Sequence, residues 1–308
     1  MATLAIVGPT ASGKSKVALN VARRLTGEGI PVEIIAIDAF TVYRGMDIAT
    51  AKPGIEDRAE VPHHLVDVLA PSETLTVADF QSRARAIVDD VVHRGALPLL
   101  VGGSGLYWRA VVDDLRFPPT DAATRERIEE RWATDPVAAH AHLAEVDPAA
   151  AANIDPANLR RTVRALEVLE VTGEPFSRFN DAWERFESRY RDLEVGYLEP
   201  EASLLRERIH ARAVEMVAAG LLEEAAALRE LPGGLSTTAA QAIGYAEAFS
   251  VLDGDLGRED LPQAIATRTW RYAKRQRGWF RADPRCQPTD PDATVERLVA
   301  AARGTSGT

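Results

Sequence analysis

The chain has 308 residues and is 46% hydrophobic, enough apolar material for one large or two medium domains. Its one cysteine, Cys286, excludes an internal disulfide framework and fits a reducing compartment; no apolar run approaches the roughly 18 residues of a membrane span. A net charge of -10 argues against a polyanionic partner except where positive charge is concentrated locally.

In chain order, LAIV (4–7) reads as a first strand, preceded by too little sequence for a signal peptide, so a soluble cytoplasmic protein is expected. A glycine loop follows, then a helix over KSKVALNVARRL (14–25). VEIIAID (32–38) reads as a second strand ending on Asp38, and residues 76–95 as a helix closed by Gly95. ALPLLVGG (96–103) is a third strand, ending on two glycines.

From Phe117 the strand signal disappears, and residues 117–180 read as a helical insertion. Within it Asp155 is expected to cap a helix that starts at Pro156 and stops before Gly173. LEVGYLEP (193–200) returns as a strand, and residues 203–231, 236–252 and 258–281 read as helices before a disordered GTSGT tail. Short strands alternating with helices imply an α/β fold: a P-loop NTPase-like parallel sheet flanked by helices, with an inserted all-helical subdomain. The expected parts are 1–116 (first part of the core), 117–180 (insertion) and 181–308 (completion of the core, mostly helical).

Charge is unevenly spread. Residues 266–281, ATRTWRYAKRQRGWFR, hold six basic residues and no acidic one, leaving 30 basic against 46 acidic residues elsewhere, a balance of -16. An acidic body with one basic stretch can bind nucleic acid locally, although a solvated helix face explains the same pattern.

Gly8, Pro9, Thr10, Ala11, Ser12, Gly13, Lys14 and Ser15 fit G-x-x-x-x-G-K-[ST] between a predicted strand and a predicted helix, the context a phosphate-binding loop requires. Backbone N–H groups and the helix N-terminus favour a polyphosphate, Lys14 adds a point charge and Ser15 a hydroxyl for Mg²⁺. An ATPase or GTPase also needs an acidic strand end to hold the metal and orient water, and the candidate strand ends in glycine. Asp38 is instead placed where strand ends line the ligand crevice. It would serve a small-molecule or nucleotide kinase as base for a hydroxyl attacking phosphorus, or an alkyl or prenyl transferase as base for a nucleophile attacking carbon. Spacing alone leaves both open.

Further blocks occur in a fixed order: DAFTVYRGMDIATAKP (38–53), PHHLVDV (62–68), VADF (77–80), GGSGLY (102–107), DPAAAANIDPANLRRTVRALEV (147–168), RIHARAVEMVAAGLLEE (208–224), QAIGY (241–245) and AKRQRGWFR (273–281). With the loop they closely resemble the tRNA dimethylallyltransferases, or tRNA isopentenyltransferases, across about residues 3–283. The resemblance implies that the loop holds dimethylallyl diphosphate. The prenyl group would pass to the N6 amine of the adenosine just 3′ of the anticodon, in tRNAs reading codons that begin with U, with Mg²⁺ as cofactor.

It further implies that Asp38 accepts the amine proton, that Thr10 lies near the bridging oxygen and that Arg212 binds the diphosphate. Contacts to the tRNA anticodon stem-loop are implied for Asp38, Ala39, Phe40 and Thr41, for Ser104 and Arg125, and for Arg160, Arg161, Thr162, Val163 and Arg164. They are implied also for Gln241, Ala242, Ile243, Gly244, Tyr245 and Ala246. Arg160, Arg161 and Arg164 recur at helical spacing, able to track phosphates along one face, and Trp270, Tyr272 and Trp279 are candidates for stacking on bases. The chain departs from the family pattern at Ala39, Thr41 and Gln241, where serine, glutamine and arginine are common, which bears on tRNA reading rather than chemistry. It lacks the zinc-finger extension of some members. His63, His64 and Asp67 have ligand-like spacing but are read as packing or hydrogen-bonding groups. No membrane partner is expected, and the protein is expected to act as a monomer.

Overall fold

A computed structural model describes residues 2–179, 183 and 185–305. The chain divides into two compact units, one formed by Met1–Val112 with Ser188–Thr308 and the other by Asp113–Glu187, which starts earlier and ends later than the 117–180 expected for the insertion.

In the larger unit, β1 (Thr3–Val7), β2 (Val32–Ile37), β3 (His63–His64), β4 (Leu97–Gly102) and β5 (Leu193–Tyr197) form one parallel sheet in the order β3-β2-β4-β1-β5. Strand alternation divides the core. Leu4, Ile6, Val32, Ile34, Leu97 and Leu99 face one layer, and Ala5, Val7, Ile35, Ile37 and Leu100 the other. The first layer is closed by α1 (Lys14–Gly27) and by α14 (Pro291–Thr305), a last helix absent from the sequence reading, through Val295, Leu298, Val299 and Ala302. Gly304 and Thr305, read as tail, end that helix; Ser306, Gly307 and Thr308 lie outside the described residues.

The second layer is built from α3 (Val77–His93), α4 (Gly105–Val112), α9 (Ala202–Ala218), α10 (Leu221–Arg229), α12 (Tyr245–Leu252) and α13 (Leu261–Ala282). The short helices α2 (Ile55–Glu60) and α11 (Thr237–Ala240) belong to the connections. The helix read over 203–231 is two, because Gly220 adopts φ 97° and starts α10 in a new direction. The helix read over 236–252 is likewise interrupted, at Gly244. Thr76 and Asp79 form a reciprocal capping box at the start of α3.

The smaller unit packs α5 (Ala122–Trp132), α6 (Pro136–Val146), α7 (Pro148–Ala151) and α8 (Leu159–Thr172) around Ile128, Leu143, Ile154, Val163 and Leu166. Asp155 does not cap α8. Its carboxylate accepts from the Ala157 amide two residues on, closing a turn, and the Asn158 side chain caps instead by accepting from Arg161 N. Pro156 therefore precedes the helix, while Gly173 ends it at φ 72°.

Candidate active site

The loop after β1 opens on a cavity of about 780 Å³ whose lining includes Thr10, Lys14, Ser15, Asp38, Arg212 and Tyr272. All of these belong to the larger unit. The order of the sheet explains the meeting: β1 lies between β4 and β5, and β2 lies next to β4, so the carboxyl ends of β1, β2 and β4 converge on one crevice.

The Lys14 ammonium donates to the Pro9 carbonyl at 2.7 Å. Enclosure by the walls pushes its pKa down from 10.5 to about 7, opposed by the attraction of Asp38 and reinforced by the repulsion of Arg212. Burial also lowers the Arg212 pKa, against the pull of Asp38 and Glu215. Arg212 donates from Nη1 to Thr10 Oγ1 at 3.5 Å. Lys14 and Arg212 thus lie close to Asp38. The cavity lining carries more cations, Lys16, Lys52, Arg208, Arg268 and Arg275 among them, than carboxylates, Asp38 and Asp57, and that excess favours an anionic occupant.

Asp38 stands just beyond β2. Its Oδ1 accepts from the Phe40 amide at 2.8 Å and the Thr41 amide at 3.3 Å, so the next turn holds the carboxylate in place. Among the described residues the other carboxylate oxygen has no hydrogen-bond donor, which leaves one oxygen able to take a proton. The capping role and the base role are compatible, each using its own oxygen.

The glycine end of β4 has a steric cause. A Cβ at Gly102 would lie 2.2 Å from the Ile37 carbonyl oxygen, and one at Gly103 would lie 2.6 Å from Gln276 Nε2. No carboxylate can replace either glycine without moving a neighbour.

The remaining candidates separate by exposure. Phe40 and Thr41 line the cavity, as do Gln241, Ala242 and Ile243. Ala39 and Ser104 are half-buried. Ala242 and Tyr245 are buried, and the Tyr245 hydroxyl donates to Glu224 Oε1, which also accepts from the Asp47 and Ile48 amides. That network pins the 241–246 turn, including Gly244 and half-buried Ala246, to the segment after Asp38, giving Tyr245 a structural role.

In the smaller unit Arg160 and Arg161 are exposed on α8, whereas Thr162 and Val163 turn into the core, closed to a partner. The three arginines do not form one free face. Arg164 donates to the Pro118 and Pro119 carbonyls and, with Arg125, binds the fully buried Glu167. Arg125 and Arg164 jointly lower the Glu167 pKa, although burial is the largest influence and acts the other way.

Half of the basic stretch is also committed. On α13, Arg277 and Arg281 pair with Glu199, and Arg268 pairs with Glu247. Arg271, Lys274 and Arg275 are exposed at helical spacing and form no ion pair among the described residues. Trp270 lies under the Arg206 guanidinium, 4.4 Å from its ring centre, and Trp279 is 40% exposed.

His63 and His64 do not converge with Asp67. His63 Nδ1 meets the Val61 carbonyl at 2.7 Å, His64 Nε2 meets Glu33 at 2.6 Å, and Asp67 is held by Lys52 and Arg58. No group of three or more His, Cys, Asp or Glu side chains able to hold a metal occurs among the described residues. Sequence reasoning missed Gln276 and Lys52, both lining the cavity: Gln276 sits in the basic stretch that also reads as a solvated face, and nothing in the pattern around Lys52 marks it as buried.

The family model described as IPP transferase matches residues 41–283. A tRNA dimethylallyltransferase of Thermobifida fusca is 45% identical over 300 residues, covering 96% of this chain and 93% of its own. One from Kineococcus radiotolerans is 50% identical over 286 residues, covering 92% and 88%. The crystal structure of the full-length tRNA isopentenylpyrophosphate transferase of Bacillus halodurans superposes with a TM-score of 0.70 at 37% identity, covering 99% of this chain and 98% of that one. A eukaryotic dimethylallyltransferase acting on tRNA gives a TM-score of 0.76 at 27% identity over 90% of this chain and 69% of its own. A match over most of the chain, with relatives this similar along nearly its full length, makes the protein a member of the IPP transferase family, and a transferase by descent.

Proposed function

We propose that the protein transfers the dimethylallyl group of dimethylallyl diphosphate to the N6 amine of the adenosine immediately 3′ of the anticodon, in tRNAs reading codons that begin with U. The observation that carries this reading is the cavity itself: a phosphate loop with Lys14 and Arg212 on one side, and Asp38 with one uncommitted oxygen on the other. The strand end that an ATPase or GTPase would use to hold metal and orient water is replaced here by glycines packed against Ile37 and Gln276. What weighs against a kinase is that the similar proteins are named dimethylallyltransferases.

In the reaction N6 attacks the allylic carbon, the N–C bond forms, the C–O bond breaks and the proton leaves N6 for Asp38. An exocyclic adenine amine is a weak nucleophile, so removing its proton during attack lowers the barrier. Negative charge grows on the departing diphosphate, where Lys14, Arg212 and the loop amides stabilise it. The Thr10 hydroxyl, which accepts from Arg212, would donate to the oxygen that leaves.

The protein ligand assigned to a cation is the Ser15 hydroxyl at the loop's end, since both oxygens of Asp38 have other roles. That donor set suits Mg²⁺ arriving with its diphosphate, since Mg²⁺ keeps waters and substrate oxygens as most of its ligands. When bound, Mg²⁺ would offset charge on the leaving group. In the larger unit the exposed Arg271, Lys274 and Arg275 on α13 are cations that tRNA phosphates could meet; in the smaller unit Arg160 and Arg161 on α8 are exposed likewise. The target base must leave its stack to reach Asp38. No helix among the described residues is long and apolar enough to cross a membrane, and we assign the reaction to the cytoplasm, where tRNA is used.

Incubation with tRNA and labelled dimethylallyl diphosphate tests the reading. Label in the RNA, mapped by nuclease digestion to the base 3′ of the anticodon, is the expected result. Indifference to that donor with phosphate transfer from ATP overturns it.

A further inference from the structure

Gln276 lies on α13 yet is only 3% exposed. Its Oε1 accepts from the Thr10 amide at 2.9 Å, and its Nε2 donates to the Gly103 carbonyl at 2.8 Å. One side chain therefore joins three segments far apart in sequence: the phosphate loop, the end of β4 and the basic helix. Space for it exists only because residue 103 is glycine, since a Cβ there would lie 2.6 Å from Nε2. Tyr272, one turn earlier on α13, brings its hydroxyl beside both Gln276 and Ser104, whose hydrogen bonds oppose the upward push of burial and of Asp38 on its pKa.

Besides its contact with the Tyr272 hydroxyl, Gln276 makes two bonds to backbone groups, and these fix main-chain position rather than a rotatable side chain. The anchored residue matters. Thr10 carries the hydroxyl that meets Arg212, and its amide, taken by Gln276, is no longer free to turn toward a ligand. A buried amide able to satisfy both partners also leaves no polar group unpaired, whereas an apolar replacement would strand the Thr10 N–H and the Gly103 carbonyl.

We infer that Gln276 is a positioning residue for the transfer step, holding the Thr10 backbone from the basic helix so that the Thr10 hydroxyl and Arg212 stay aimed at the oxygen that departs. This rests on the prenyl-transfer reading above. The role predicts a particular kinetic signature. Ground-state binding of diphosphate depends mainly on Lys14, Arg212 and the other loop amides, and survives loss of the clip. The rate of transfer depends on alignment within fractions of an ångström, and does not.

The test uses two substitutions that break the same contact from opposite sides. Gln276→Met keeps the approximate shape and removes both backbone hydrogen bonds; Gly103→Ala keeps the glutamine and displaces its amide, its Cβ also falling 3.1 Å from the Gly8 carbonyl oxygen and 3.5 Å from Lys14 Nζ. Each variant is measured by single-turnover transfer with saturating tRNA and dimethylallyl diphosphate, and by calorimetric binding of inorganic diphosphate. Expected for both is a rate constant lower by about 10- to 100-fold, with diphosphate affinity within about threefold of wild type. Misfolding of part of the sample lowers the amplitude of the single turnover, not its rate constant, which separates a merely structural role. Rate constants near wild type in either folded variant, or losses confined to amplitude, overturn the inference. Wild-type protein that binds no diphosphate and transfers no prenyl group overturns the functional reading instead. Active wild type with unaffected variants leaves that reading standing.

Discussion

Arg212 reaches across 202 positions of sequence to place its guanidinium 3.5 Å from the hydroxyl oxygen of Thr10. If both groups act on the same leaving oxygen, their contributions cannot be independent. Arg212→Ala and Thr10→Ala are each expected to lower the transfer rate by about 10²- to 10³-fold, the usual effect of removing one donor to a developing oxyanion. The double variant should lose far less than the product of the two, a coupling read from a double-mutant cycle of single-turnover rates. Simple multiplication would assign the two residues to different steps.

Asp38→Asn separates the two oxygens of that side chain. The amide oxygen can still accept from Phe40 N and Thr41 N, so the turn and the melting temperature should change little. Proton acceptance is lost, and the transfer rate is expected to fall by about 10²- to 10⁴-fold. tRNA affinity, measured by filter binding, should remain within a few-fold of wild type. Near-normal turnover would remove Asp38 from the role of base.

Lys14 makes donor binding pH-dependent, and the sign follows from its environment. Enclosed by the cavity walls, the ammonium is pushed down to about 7, mainly by burial. A bound diphosphate favours the charged form and raises that pKa. Below pH 7 the lysine is already protonated and contributes no pH dependence. Above it, binding takes up a proton, and affinity for dimethylallyl diphosphate falls by up to about tenfold per pH unit until the pKa of the bound form is reached. Calorimetry in buffers of different ionisation enthalpy counts the proton directly. A constant affinity from pH 7 to 9 with no proton uptake would show that Lys14 stays charged throughout.

The basic stretch predicts two different kinds of arginine. Replacing Arg271, Lys274 and Arg275 by alanine should weaken tRNA binding and flatten its salt dependence by up to about 2–3 in the slope of log affinity against log salt. Stability should hardly move, because these side chains are exposed. Arg164→Ala is expected to do the reverse. It removes a partner of the buried Glu167 and two donors to the Pro118 and Pro119 carbonyls, destabilising the smaller unit by about 1–3 kcal/mol. Salt titrations and thermal melts distinguish the two; a lower salt slope without a lower melting point for Arg164→Ala would restore it to the RNA-facing set.

Four of the five strands and the loop were legible because their signals are local: short apolar runs, and glycines flanking a lysine between a strand and a helix; β3, only His63 and His64, is too short to show a pattern. The family resemblance supplied Arg212, which spacing could not, since an arginine four residues after Arg208 looks like surface. Gln276 was invisible for a similar reason: a glutamine among arginines gives no sign of being buried, and its partners lie 173 and 266 positions away. α14 was readable in principle, with Val295, Leu298, Val299 and Ala302 at helical spacing, but it follows a stretch rich in proline and aspartate that reads as a tail. α4 hides differently, as GLYWRAVV is buried on nearly every side and shows no amphipathic period. Arg164 and Asp155 mark the limit of pattern reading. Helical spacing and capping preference describe what a residue can do, while tertiary partners decide which option it takes.

The seating of α14 against α1 ties the far end of the polypeptide to the helix that begins with Lys14. Arg24 on α1 pairs with Glu296 on α14, 272 positions further along the sequence. Removing Pro291–Thr305 would spare every catalytic side chain assigned above and still uncover the apolar flank that Val295, Leu298, Val299 and Ala302 close, so the durability of the pocket depends on a helix that takes no part in its chemistry.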